Sequence, residues 1–404
     1  MSMPELARIT DETELAEAVS AAAAEAATLE IVAGGSKRAL GRAGQTARTL
    51  DVSGLSGLTL YEPEELVLSA KAGTPLADIE DLLARHQQML AFEPVDLGPL
   101  YGGPSGAGSV GGMFACNLSG PRRLSHGAVR DHALGARAVS GRGELFKSGG
   151  RVVKNVTGYD LPRLLAGSFG TLAVLSEITL KVLPRPAMQE TLLVFGLGPD
   201  AAARAMSAAM GSSCEVSGAA ALPASIVRRC PEIPAEVSVV AFRLEGFEPS
   251  VRARRAMLIT AMSSFGAVEV LEADASAALW DMVRNALPFA GTGMRAVWRL
   301  STSPMAGPVL AEAMMRALDA EAYCDWAGGL VWALMPAEAA EPDAVREMLR
   351  PHGGHATLIR GTPAERAGAV FQPLEGALDA LTRRVKAGFD PLAILNPGRM
   401  HAGM

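Results

Sequence analysis

The chain has 404 residues, 49% of them hydrophobic and 20% charged, with a formal net charge of −6. That length accommodates two or three domains with an ample core, and the mild acidity without a long like-charge run argues against a nucleic-acid-binding protein. A spanning helix, a secretion signal, an iron–sulfur cluster and a zinc knuckle are not expected: no run of about 18 apolar residues occurs, the N-terminus lacks an apolar leader, and Cys116, Cys214, Cys230 and Cys324 are scattered.

Asp11 followed by Glu14 reads as a helix cap opening an Ala-rich helix to about Ala27. The strand Leu29–Ala33 then runs into Gly34-Gly35-Ser36-Lys37, where two glycines, a hydroxyl and a cation follow a strand directly. Such a turn suits an anion, and it equally suits a tight strand-to-loop connection. Thr49–Val52, Leu58–Tyr61 and Leu66–Ala72 are further strands. Gly73-Thr74 turns the last of them, and Pro75 starts a helix to about Gln87.

Next comes the glycine-dense stretch Tyr101–Gly120, followed closely by a hairpin, Leu134–Ser140 with Leu145–Ser148. A short helix over Tyr159–Ala166 leads through Gly167-Ser168-Phe169-Gly170 into a β-forming run, Thr171–Leu183. Pro184-Arg185-Pro186 marks a domain boundary, giving units 1–185 and 186–404. Beyond it, strands alternate with Ala- and Met-rich amphipathic helices, the pattern of an α+β domain with helices on one face of a sheet. No internal repeat is visible. A last helix, about Leu374–Phe389, precedes Asn396-Pro397-Gly398.

Within the glycine-dense stretch, Gly106-Ala107-Gly108-Ser109-Val110-Gly111 matches G-x-G-x-x-G, with Asp131 downstream. A dinucleotide site of the Rossmann kind needs a buried strand before this motif and a full helix after it. Here a Pro/Gly loop precedes it, and Asn117–Pro121 stops any helix early. The Rossmann reading is rejected on that context, and no Walker sequence is present. Several glycine-rich loops converging on one dinucleotide solve the same electrostatic problem differently: glycine lets backbone N–H groups approach a pyrophosphate closely.

The order of these loops resembles the FAD-binding domain of the vanillyl-alcohol oxidase and p-cresol methylhydroxylase superfamily. The matching pieces are Gly34–Lys37, Ala72-Gly73-Thr74, Gly108–Gly112 with Asn117 and Ser119-Gly120, Gly127 with Arg130-Asp131, Gly167–Leu172, and Asn396-Pro397-Gly398. Within it, Gly149–Asp160, Val297–Ser301, Asp325–Gly329 and Gly353–Thr357 are similar to the E subunits of bacterial glycolate oxidases.

This resemblance implies an α+β protein: a two-part FAD-binding domain of the p-cresol methylhydroxylase type, then a cap domain with an antiparallel sheet whose C-terminal segment returns toward the flavin. It implies FAD contacts from Gly34, Gly35, Ser36, Lys37, Gly108, Ser109, Val110, Gly111, Gly112, Asn117, Gly170, Thr171, Leu172 and Asn396. Ser36 and Lys37 stand where covalent relatives carry a linking His, and Cys116 lies on an apolar segment, so non-covalent FAD is expected. The implied chemistry is oxidation of glycolate or a similar 2-hydroxy acid, with Arg295, Arg299 or Arg360 holding the carboxylate and His355 as base. No metal site is expected. With no cysteine relay of its own, the chain is expected to work with a sister FAD subunit and an iron–sulfur subunit, in the cytoplasm and at the membrane only through them. A self-sufficient D-lactate-type dehydrogenase and an FAD-bearing scaffold subunit are the alternatives.

Overall fold

The computed structural model describes residues 8–151, 158–233, 235–336 and 339–404. Val152–Thr157, inside one of the stretches behind the narrower resemblance, lie outside the described residues.

Asp11 caps the first helix, Glu12–Ala24, its carboxylate accepting from the N–H groups of Thr13 and Glu14. That helix covers a parallel pair, Leu29–Val32 beside Arg48–Asp51. The C-terminal chain returns to the other edge of Leu29: Leu29 N donates to Ile394 O, and Asn396 N donates to Leu29 O.

Beside this pair stands a five-stranded antiparallel sheet in the order Leu58–Glu62, Val67–Lys71, Ala173–Lys181, Ala133–Ser140, Leu145–Gly149. Its central strand, Ala173–Lys181, is buried at seven of its nine positions because it has cover on both faces. Leu175, Ile178 and Leu180 enter one core with Phe92, Val110 and Phe114. Val174 enters another with Leu15, Leu29 and Leu395. The final helix, Gly376–Phe389, also packs here through Val385 and Phe389. Lys386 holds the segment after it, donating to Asp390 Oδ2 at 2.6 Å, Thr171 O at 2.6 Å and Leu395 O at 3.1 Å.

Residues 188–360 form an eight-stranded antiparallel sheet in the order Val268–Glu272, Met188–Phe195, Val239–Gly246, Gly218–Leu222, Glu321–Asp325, Leu330–Leu334, Val297–Ser301, His355–Arg360. Each four-strand half has the same β-α-β-β-α-β path, and the halves meet at Ala221 opposite Cys324. The cap is therefore a topological repeat, although the sequence shows none. Apolar periodicity carries the likeness, and it demands no identical residues.

Four helices, Pro199–Met210, Glu248–Met262, Gly307–Ala317 and Pro342–Leu349, cover one face as expected. The other face departs from that expectation. It packs on the helix Ala273–Arg284 and on Leu97, Leu100 and Leu118 of the first unit. A sheet inserted between two layers must be apolar on both sides, which explains Trp298 facing one layer and Trp332 the other.

At this junction Arg243 reaches across to Glu93, donating at 2.8 and 3.1 Å. The backbone N–H of Arg122 donates to the same carboxylate at 2.6 Å, and the Arg122 guanidinium pairs with Glu245. Burial pushes the Glu93 carboxyl up, yet Arg243 and Arg122 outweigh it and hold it down at about 2.

Candidate FAD site

A cavity opens between the first turn, the helix Val110–Cys116 and the returning C-terminus. Gly34, Gly35, Ser36, Lys37, Ser109, Gly111, Gly112, Gly170 and Asn396 line it. The N–H groups of Gly34, Gly35, Ser36 and Lys37 donate to no acceptor among the described residues. Gly34 is held tightly here. A Cβ on it would lie 2.2 Å from Ala107 O, so only glycine lets the first turn meet the second loop.

Lys37 is 8% exposed, and its ammonium has no hydrogen-bond or ion-pair partner among the described residues. It sits 3.5 Å from the position a Cβ on Gly108 would take. The stem is buried while the ammonium opens into the cavity, so an anion bound there would meet a charge that no protein group neutralises. Four free N–H groups and an unpaired ammonium in one cleft therefore describe an anion cradle.

The second loop contributes differently from the sequence expectation. Val110 N and Gly111 N donate to Thr74 O and Ala72 O, at 3.0 and 2.7 Å. Gly112 N is taken by Ser109 Oγ at 3.2 Å, which caps the helix. A Cβ on Gly111 would stand 2.9 Å from Ala72 O, so this glycine lets the helix pack on the Val67–Lys71 strand's exit. In the second loop the N–H groups of Gly108 and Ser109, like those of the first turn, donate to no acceptor among the described residues.

Other expected contacts sit behind the wall. Val110 and Leu172 are buried in the core of the five-stranded sheet. Asn117 closes the helix in the left-handed region, and its Oδ1 accepts from Arg130 N. Thr171 Oγ1 donates to Ser168 O at 2.7 Å, and Thr171 O serves Lys386. Asn396 lines the cavity as a clamp: its Oδ1 accepts from Ile31 N at 3.0 Å, and its Nδ2 donates to Phe169 O at 2.9 Å.

Sequence reasoning overlooked Ile31, Arg38, Phe169 and Arg399, and it set Cys116 aside; all line the same cavity. Arg399 Nη2 donates to Lys37 O at 2.9 Å. Its place directly after Asn396-Pro397-Gly398 was a usable signal. Burial pushes the Cys116 thiol up, although Lys37 and Arg399 pull the other way. A protonated thiol is a poor nucleophile.

The expected catalytic residues are not brought together at the cavity. Arg360 donates to Arg295 O at 2.8 Å, Leu100 O at 2.7 Å, Phe289 O at 3.1 Å and Thr292 Oγ1 at 2.6 Å. Arg295 donates to Met335 O and pairs with Glu321. Both guanidiniums are engaged by groups of the protein itself, unlike a fork left free for a carboxylate. Arg360→Ala is expected to cost roughly 3 kcal/mol by stranding buried acceptors. Urea unfolding should show that loss while bound flavin per chain stays unchanged. His355 sits exposed on the outermost strand, opposite Ser301. Partial desolvation, with Arg299 and Arg123, holds its ring below the usual imidazole range.

Comparison with known proteins shows the family and the fold. Residues 5–149 match a family described as an FAD binding domain. Over 96% of the chain and 97% of the relative, the sequence is 36% identical to glycolate oxidase subunit GlcE of Escherichia coli (strain K12). The chain belongs to the GlcE family of FAD-linked oxidoreductases. This GlcE-family chain is also 39% identical to glycolate oxidase subunit GlcD of Bacillus subtilis (strain 168), over 24% of its length and 21% of that protein. Its fold matches p-cresol methylhydroxylase with a TM-score of 0.72 at 13% identity, over 98% of this chain and 88% of that one. The α+β architecture expected from the sequence is the one present. Among the described residues, no helix is long and apolar enough to cross a membrane.

Proposed function

We propose that the chain is the FAD-bearing subunit of a glycolate oxidase-type complex that converts a small 2-hydroxy acid, glycolate first, to the 2-oxo acid. The observation that carries this reading is the unpaired Lys37 ammonium beside four unpartnered N–H groups, within a chain 36% identical to GlcE. In it, Gly34–Lys37 cradle the pyrophosphate and Lys37 supplies the compensating charge. Asn396 holds Ile31 and Phe169 in place around the cofactor. Bound there, FAD would supply the hydride acceptor for the oxidation.

The attachment is non-covalent: Ser36 and Lys37 offer no linking imidazole, and the Cys116 thiol is held protonated by burial. Four scattered free cysteines make no iron–sulfur ligand set, so electrons leave through partners, a sister FAD subunit and an iron–sulfur subunit. Those partners, not this chain, would bring the complex to the inner face of the cell membrane. The structural use of Arg295 and Arg360 favours a second reading, in which the chain carries FAD and scaffolds the sister flavoprotein without oxidising substrate itself.

Purified protein should show an oxidised-flavin absorption spectrum, and acid precipitation should leave the yellow colour in the supernatant. A colourless protein that cannot be loaded with FAD would sink the proposal, and colour in the pellet would overturn non-covalent attachment. Glycolate bleaching of this subunit's flavin in the assembled complex selects catalysis over scaffolding.

A further inference from the structure

Arg299 behaves unlike the other two arginines considered for the carboxylate. It lies mid-strand in Val297–Ser301, opposite Trp332 on one neighbour and Thr357 on the other. Its Nε is buried without a hydrogen-bond partner, and its guanidinium makes no ion pair among the described residues. Instead its Cζ lies 4.7 Å from the centroid of the Trp326 ring and 5.8 Å from that of Trp332. A second guanidinium, Arg123 of the first unit, lies 4.3 Å from the same Trp326 centroid. Arg123 is exposed, as is His355 nearby on the edge strand, so the cluster is open to solvent on one side.

The indole that both cations lie over is placed by an unusual backbone. Trp326, Ala327 and Gly328 are all in the left-handed region, with φ of 53°, 54° and 94°. Bulky L-residues avoid that region, and three in succession persist only where surrounding structure holds them. Here Asp325 Oδ1 accepts from Trp326 N at 2.6 Å, and the indole N–H donates to Gly120 O at 3.0 Å. The first bond commits Asp325 to the turn, and this carboxyl is buried and makes no ion pair with Arg299 among the described residues. Burial pushes it up to about 7, so it offers only part of a counter-charge at neutral pH. Burial, with Arg123, likewise pulls Arg299 down to about 10, the direction expected of a cation lacking its anion.

We infer that Arg299 and Arg123, stacked on Trp326 at the junction of cap and first unit, form an anion site that takes a small carboxylate. A guanidinium with its fork unspent binds a carboxylate through parallel N–H donors, and stacking on an indole fixes the fork's plane. The site spans both units, so occupancy would join them where Trp326 meets Gly120. The choice of a carboxylate over other anions rests on the proposed 2-hydroxy-acid chemistry; the existence of an anion site rests on the geometry alone.

Calorimetric titration of the FAD-loaded protein with oxalate, with sulfate as comparison, tests this. Oxalate should bind in preference to sulfate, and Arg299→Met and Arg123→Met should each weaken it at least tenfold while the flavin spectrum is retained. Arg299→Lys keeps the charge and loses the planar fork, so a smaller weakening is expected there, and it stands in if Arg299→Met fails to fold. Unchanged oxalate binding in Arg123→Met and Arg299→Lys would overturn the site. Equal binding of sulfate would overturn the carboxylate assignment. Flavin content and glycolate bleaching are separate readouts, so failure of the proposed function would be seen independently.

Discussion

Glu93→Ala is expected to lower folding stability by about 3 kcal/mol, because it removes two hydrogen bonds of the buried Arg243 guanidinium and leaves Glu245 alone to serve both Arg243 and Arg122. Arg243 is 1% exposed and Glu93 6%, so solvent cannot replace the lost pair. The effect should appear as a drop in the urea midpoint, with cap and first unit losing their junction together. Replacing both Glu93 and Arg243 by methionine should cost far less than either single change, since an apolar pair strands no charge. A single-variant loss below about 1 kcal/mol would show that the pair does not hold the junction.

The same carboxylate makes a pH prediction with a definite sign. Its folded pKa of about 2 lies below the ordinary 4.5, so the folded state binds the proton less readily than the unfolded chain. The stabilisation is fully present above about pH 4.5 and is lost as pH falls toward 2. Stability measured between pH 6 and pH 3 should therefore fall more steeply in the native protein than in Glu93→Gln.

Lys37→Met is expected to weaken FAD binding roughly 10- to 100-fold, the range for losing one charge-assisted contact. The variant has a second signature that a general packing defect would not reproduce. Without ligand, the Lys37 ammonium opens into the cavity with no partner among the described residues, so its removal should leave the stability of the FAD-free protein nearly unchanged. Thermal melts with and without FAD would separate the two effects. A fall in the FAD-free melting temperature with unchanged FAD affinity would remove Lys37 from the cofactor site.

Much of the first unit was legible because its signals are local. Asp11 and Glu14 announce a cap, and the β-forming run from Thr171 announces a long strand. The early stop at Asn117 was enough to reject a Rossmann helix, and the observed helix spans only Val110–Cys116. The roles of individual loop residues were less legible. Gly111 looks like a ligand in sequence and proves to be a packing glycine against Ala72, while Gly34 is required by a carbonyl more than seventy residues away. Glycine has no side chain to declare which of these duties it serves.

The arginines show the same division. Arg295, Arg299 and Arg360 are equivalent in sequence, each an arginine of the cap with nothing local to declare its partner. Their fates differ because Arg360 meets carbonyls from three distant segments, Arg295 meets Met335 O and Glu321, and Arg299 meets indole rings. The doubled cap escaped notice for a related reason: its two halves share the order of strands and helices without sharing residues. Apolar periodicity, caps and glycine turns are interactions among chain neighbours, so the linear order of residues settles them. Whether a buried cation finds a carboxylate, a carbonyl or an aromatic face depends on which remote segments folding brings beside it, and only the tertiary structure decides that.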